Sequence, residues 1–315
     1  MSQLTLPPAL IADLQQVEQI IHERTHARAA VISVAGSHLL QPDGPRLRAA
    51  LVLLAAQTGA YQLERAIHAA AAVELIYAAT QTHDTLVDAA ERRRGQPRVG
   101  PWNHGVVLMV GDYLFALAAG EMALSPEPRV ITYYTDAVKQ VTEGTLLPAA
   151  PLRPLEQAQA RHLERIGHTA AALVAAACKA GAAAVGAEPE QIATLGRYGH
   201  ELGLAWRLGD EVRDFVAPNG SEAPGASVRA GAITLPLIFA ATLGDGERLA
   251  AAIDSDDAGE LAWAVAEVGR YGLGPTRAEI ARSAERARGA LAMLPPGEAR
   301  EALARIADDA IRRAA

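Results

Sequence analysis

Apolar residues recur at three- and four-residue steps along nearly the whole chain, and no stretch alternates with the period of two that a half-buried strand needs. The pattern predicts a helix over 9–35, with Leu10, Leu14, Val17, Ile20 and Ile21 on one stripe. A turn cluster, Pro42-Asp43-Gly44-Pro45, then opens a second helix from Arg46. Further helices are expected over 62–92, from 106 onward with an interruption at Gly111-Asp112, over 129–147, over 155–185 and over 189–215. Residues 217–231 are rich in Gly, Pro and Ser and long for a connection inside a compact domain, which reads as a lid loop. Another helix starts at Thr234-Leu235-Pro236, and helical pairs continue through Pro275 and Pro295-Pro296. The expectation is one all-α domain over 1–315 with ten or more helices.

Composition agrees with that. Of 315 residues half are apolar and only 4% aromatic, and alanine, the best helix former and small enough for close packing, dominates long stretches. A net charge of −7 argues against nucleic acid as a partner. A lone Cys178 excludes an intrachain disulfide and suits a reducing compartment. Met1–Leu10 lacks the basic and apolar regions of a signal peptide, and 170–187, mostly Ala and Gly and broken by Lys179, reads as a buried core helix. A cytoplasmic protein without a membrane span is expected.

The candidate chemistry is acidic. Asp84 and Asp88 lie four residues apart, hence on one helix face about 6 Å apart, and Asp210 and Asp214 repeat the spacing. Facing each other, the pairs would line a pocket with hard oxygen donors for divalent cations, although spacing alone favours two solvated acidic faces. Arg92-Arg93-Arg94 follows the first pair; such a triplet either offsets a helix dipole or grips phosphate through paired planar hydrogen bonds. Arg46 and Arg48 stand at a helix start, and His168-Thr169 sits in an otherwise Ala-lined helix. His22 and His26 have metal-pair spacing without a further ligand and read as solvated.

Taken together, Arg46-Leu47-Arg48, Glu74-Leu75-Ile76 with His83-Asp84 and Asp88, Arg93-Arg94-Gly95, Gly111-Asp112, Glu143-Gly144, Thr169-Ala170, Leu202-Gly203 with Asp210 and Asp214, and Thr234-Leu235-Pro236 resemble the trans-isoprenyl diphosphate (polyprenyl) synthases. The resemblance runs over roughly 40–240 in the family's order. It implies the class I isoprenoid synthase fold, an antiparallel helix bundle around a deep central cavity, usually homodimeric. It also implies three Mg²⁺ ions gripping an allylic prenyl diphosphate that ionises and is attacked by isopentenyl diphosphate. By the same precedent Asp84, Asp88 and Asp210 are direct metal ligands with Asp214 beside them. Arg48, Arg93, Arg94 and Tyr77 contact substrate, and His168 and Thr169 stand near the leaving group.

Several positions depart from the family's pattern. Its second aspartates are Thr85 and Glu211 here, and its lysines are replaced by Pro45, His168 and Ala232. Tyr77 stands for a histidine, and Trp206-Arg207 for Phe-Gln. Arg207 is a candidate replacement cation. Small Thr80 and Ala79, the fourth and fifth positions before the first motif, imply room for a C20 or longer chain. The expected function is a chain-elongating prenyltransferase of isoprenoid biosynthesis. The alternatives are a terpene-cyclase-like or diphosphate-releasing enzyme that ignores isopentenyl diphosphate, and a non-catalytic subunit of a heteromeric synthase.

Overall fold

The computed structural model describes residues 6–26, 46–91, 104–147, 151–216, 224–255 and 257–314; side chains of 85–91 fall outside that set. Helix α1 (Pro8–Thr25) opens with proline, whose missing N–H is unpaired in a first turn anyway, and buries Leu10, Val17 and Ile21. Helix α2 (Leu47–Gln57) is buried on every side from Ala49 to Ala56, as a helix apolar all round must be. Helix α3 (Leu63–Glu91) runs about 43 Å at 1.5 Å per residue and packs along α4 (His104–Leu124) and α2. The interruption expected at Gly111-Asp112 does not occur. Helix α4 is continuous there, and the glycine serves close packing against α3.

Helix α5 (Arg129–Leu146) follows, then α6 (Leu155–Ile166), a π-helical turn (Gly167–Ala171) and α7 (Ala172–Ala184). Every residue of α7 except Lys179 is buried. The apolar run Leu155–Ala184 is long enough to cross a membrane, yet 78% of its most apolar window is buried inside the chain. Helix α7 is the central post, with α2, α3, α5 and α8 (Pro189–Val216) all packed on it. Small side chains permit this. A Cβ at Gly181 would lie 2.0 Å from the carbonyl oxygen of Val52 on α2.

Residues 217–223 of the expected lid lie outside the described residues, and the remainder of the span 217–231 is only partly loop. Within it α9 (Ala226–Arg229) forms a short helix after Gly225, whose φ of 78° suits glycine. Helices α10 (Leu235–Leu243), α11 (Gly246–Ile253) and α12 (Ala258–Glu267) follow; Asp245 and Asp257 cap the last two through their side chains. A second π-helical turn (Val268–Gly272) leads into α13 (Leu273–Leu291), which packs on α8, and α14 (Glu298–Arg313) closes the described chain. Among the described residues no strand occurs. Two apolar clusters form, one around α7 and a smaller one built on Leu152, Val228, Leu237, Ile238, Leu249 and Val268, with Phe215 packed against both.

A buried polar contact ties the two clusters. Glu211 on α8 is 4% exposed; its carboxylate lies 3.0 Å and 3.2 Å from His162 Nε2 on α6 and accepts the Leu235 backbone N–H of α10 at 2.9 Å. Burial alone would favour the neutral acid, but His162, Arg207 and the Leu235 N–H outweigh it and hold Glu211 below the usual glutamate value. The glutamate that replaces the family's second aspartate is a structural tie.

Two outcomes follow for stability. Gly181→Val should lower unfolding free energy in urea by about 1–3 kcal/mol, because α2 and α7 must separate to admit the side chain. Glu211→Gln should cost about 1–3 kcal/mol at neutral pH. Because the folded pKa is depressed, the carboxylate's contribution is complete above the unfolded value of 4.5 and fades as pH falls through the lower folded value. The wild-type advantage over Glu211→Gln in melting temperature should therefore shrink below about pH 4.5; an unchanged gap would remove Glu211 as its source.

Candidate active site

One face of α3 carries Glu74, Tyr77, Gln81 and Asp84 at steps of three, four and three residues, which stacks them in a single stripe. Glu74, 4% exposed, accepts the backbone N–H of Ala49 at 2.9 Å. That supplies a cap to α2, whose own N-cap residue, Arg46, makes no side-chain cap bond. Arg46 donates twice to Glu18 of α1, at 2.6 Å and 2.8 Å, and lies 3.8 Å from Glu74, so its charge is spent inside the fold. Arg48 behaves differently: its Cζ sits 3.3 Å from the centroid of the Tyr77 ring, and its Nε is buried without a hydrogen-bond partner among the described residues.

Asp84 is partly exposed, and Gln81 Nε2 donates to its Oδ2 at 3.4 Å. Next to it, His83 Nε2 is 3.3 Å from the Leu108 carbonyl oxygen and 3.6 Å from Asp112 Oδ1 on α4. A Cβ at Gly111 would stand 2.1 Å from that same Nε2. Gly111 and Asp112 thus seat the histidine that precedes Asp84. Arg93, Arg94 and the Asp88 side chain lie outside the described residues. Ala79 is fully buried in the main core, and Thr80, 7% exposed, turns its hydroxyl to the Tyr77 carbonyl at 2.8 Å, presenting its methyl to its neighbours.

On α8, Asp210 Oδ1 accepts from Arg213 Nη2 at 2.6 Å and from Arg313 Nη2 of α14 at 3.4 Å. The Arg313 guanidinium lies 4.0 Å from the centroid of the Trp206 ring. Arg207 Nε is 3.7 Å from Glu211, so the expected replacement cation faces a carboxylate already in use. Asp214, expected beside the metal ligands, is hydrogen-bonded within the fold. Its Oδ1 accepts from Ala226 N at 3.0 Å and its Oδ2 from Ser227 N at 3.0 Å and Ser227 Oγ at 2.5 Å. Both oxygens secure the start of α9. Helices α3 and α8 each pack on α7.

His168 and Thr169 fall in the π-helical turn, a backbone irregularity frequent at functional sites. The widened turn leaves Thr169 Oγ1 donating to the Arg165 carbonyl at 3.0 Å. A Cβ at Gly144 on α5 would meet His168 Cβ and Thr169 Cγ2, each at 2.9 Å, so the Glu143-Gly144 pair is where α5 closes on this turn. Sequence reasoning did not single out His162, Glu18 or Arg313, which act through long-range contacts with no local signature. Among the described residues no three His, Cys, Asp or Glu side chains converge as a metal cluster, and the His22–His26 pair, both exposed, lies apart at the end of α1.

The polyprenyl synthetase family profile matches residues 29–268. The heptaprenyl diphosphate synthase component 2 of Geobacillus stearothermophilus is 33% identical over 265 residues, 82% of this chain and 82% of that protein. The polyprenyl synthase of Caulobacter crescentus, crystallised with calcium and isoprenyl diphosphate, superposes with a TM-score of 0.87 at 31% identity, covering 98% of this chain and 96% of that one. The decaprenyl diphosphate synthase of Rhodobacter capsulatus gives 0.83 at 31% identity, over 98% of both chains. The chain has the all-α isoprenoid synthase fold and belongs to the polyprenyl synthetase family.

Proposed function

We propose that this prenyltransferase binds an allylic prenyl diphosphate through Mg²⁺ held by Asp84, Asp88 and Asp210, and condenses it head-to-tail with isopentenyl diphosphate. The observation that supports the reading is that Asp84 and Asp210 lie on two helices that both pack on α7, both partly accessible and both hard oxygen donors of the kind Mg²⁺ takes. Three ions per site is the family's number. When bound, the metal neutralises the charge that builds on departing pyrophosphate. The chain's own groups do the rest. Arg48, Arg93 and Arg94 bind diphosphate oxygens, His168 donates to them when protonated, and Thr169 lies beside it in the π turn. The apolar packing around Ala79 and Thr80 keeps water from the allylic cation. Asp214 contributes by fixing the start of α9, one turn along α8 from Asp210.

The apolar run Gly105–Leu124 on α4 is only 28% buried in its most apolar window, with Leu108 49% and Met109 70% exposed. An apolar face of this kind marks an association surface, and we assign it to a homodimer. A second reading has one specific support: a relative 33% identical is a numbered component of a synthase, which points to a heteromer with another chain. Cys178, fully buried with its thiol pushed up by burial, takes no part in either assembly or chemistry and suits a cytoplasmic setting.

The pure protein should elongate C10 to C20 allylic diphosphates with labelled isopentenyl diphosphate in the presence of Mg²⁺. Asp84→Asn should reduce that rate roughly a hundredfold or more. Pyrophosphate release that takes place without label uptake would overturn condensation, and activity that appears only on adding a second synthase chain would select the heteromer.

A further inference from the structure

Two arginines at the start of α2 have opposite fates. Arg46 is neutralised by Glu18 and Glu74, whereas Arg48, two residues on, has no carboxylate within ion-pair distance among the described residues. Its support is an aromatic face. Tyr77 lies under the guanidinium at 3.3 Å from ring centroid to Cζ, and the buried Nε has no hydrogen-bond partner among the described residues. A carboxylate in that place would orient the guanidinium and cancel its charge together. A ring orients it through the π face and leaves both the charge and the in-plane N–H donors available. A buried N–H without a partner is unfavourable until an acceptor arrives.

The stack is also held in place by its surroundings. Glu74, one turn before Tyr77 on α3, binds the N–H of Ala49, the residue after Arg48. The bond that caps α2 therefore fixes the distance between the ring and the guanidinium. Tyr77 stands seven residues before Asp84, about 10 Å along the helix axis. An anion bound there is adjacent to the carboxylate but not on it. That separation suits a second diphosphate lying beside the one the metal holds.

We propose that Tyr77 is a positioning residue for the isopentenyl diphosphate site: it holds Arg48 flat and uncancelled, so that the guanidinium edge meets the diphosphate of the substrate that is not ionised. This rests on the condensation reading above. The ring does not touch substrate; it acts through Arg48.

The test compares Tyr77→Phe and Tyr77→Leu with the wild type, Leu keeping bulk while removing the π face. Binding of isopentenyl diphosphate alone is measured by calorimetry, and both KM values and kcat by steady-state elongation. Tyr77→Leu should raise the Kd and KM for isopentenyl diphosphate roughly 3- to 30-fold, with the KM for the allylic substrate and kcat unchanged. Tyr77→Phe should stay close to wild type, since the face and not the hydroxyl carries the effect. The proposal is overturned if Leu binds as wild type does, if Phe loses as much as Leu, or if both KM values rise together, the mark of general disruption. Should the wild type bind isopentenyl diphosphate but never incorporate it, a Kd still weakened in Tyr77→Leu keeps the platform and removes the condensation reading. Elongation by wild type with unaltered binding in Tyr77→Leu removes the platform alone. A wild type that does not bind it removes both.

Discussion

The carboxylate of Glu74 is the contact on which the site's geometry depends. It is buried at mid-height on α3, and it terminates α2 by accepting the Ala49 N–H while lying near Arg46. A buried carboxylate without such partners would be strongly unfavourable, so the two helices are held in one register by the requirement that it be satisfied. From that register follows the stacking of Arg48 on Tyr77. The functional stripe on α3 is thus set by an interaction that takes no part in the chemistry.

The other half is set by a second buried carboxylate. Glu211, the residue after Asp210, draws α6, α8 and α10 together through His162 and the Leu235 N–H. Asp214, one turn further on in the same helix, clasps α9. Three acidic residues within five positions of one helix therefore have three different tasks, and the reason is their surroundings. Asp210 is 44% exposed and paired with Arg213 and Arg313 at the surface, whereas Glu211 is buried against α6 and α10 and Asp214 is bonded to the start of α9.

Helices were legible in the sequence because burial imposes the 3.6-residue period directly on residue choice, and α3, α5 and α8 begin and end close to where apolar periodicity places them. The two π turns were not legible, since an added residue in a helical turn leaves the local composition unchanged. Gly111 read as a break because an isolated glycine weakens a helix by about 1 kcal/mol, and only the position of His83 shows what it is for. Site residues with chemistry in their side chains, such as Asp84 and Arg48, were visible as patterns. Roles that arise from a partner far away in sequence, such as those of Glu211 and Asp214, were not.

The π turn between α6 and α7 gives the chain an unusual sensitivity to length. Each residue in an α-helix turns the axis by about 100°, so the extra residue accommodated at Gly167–Ala171 offsets the faces of α6 and α7 by that angle. Losing one residue there would leave a more regular helix of higher local stability. It would also swing His162 away from Glu211 and carry His168 off the face that α5 closes upon. A deletion that backbone regularity welcomes is one the site rejects, which makes this turn a place where selection for function and selection for helix regularity pull in opposite directions.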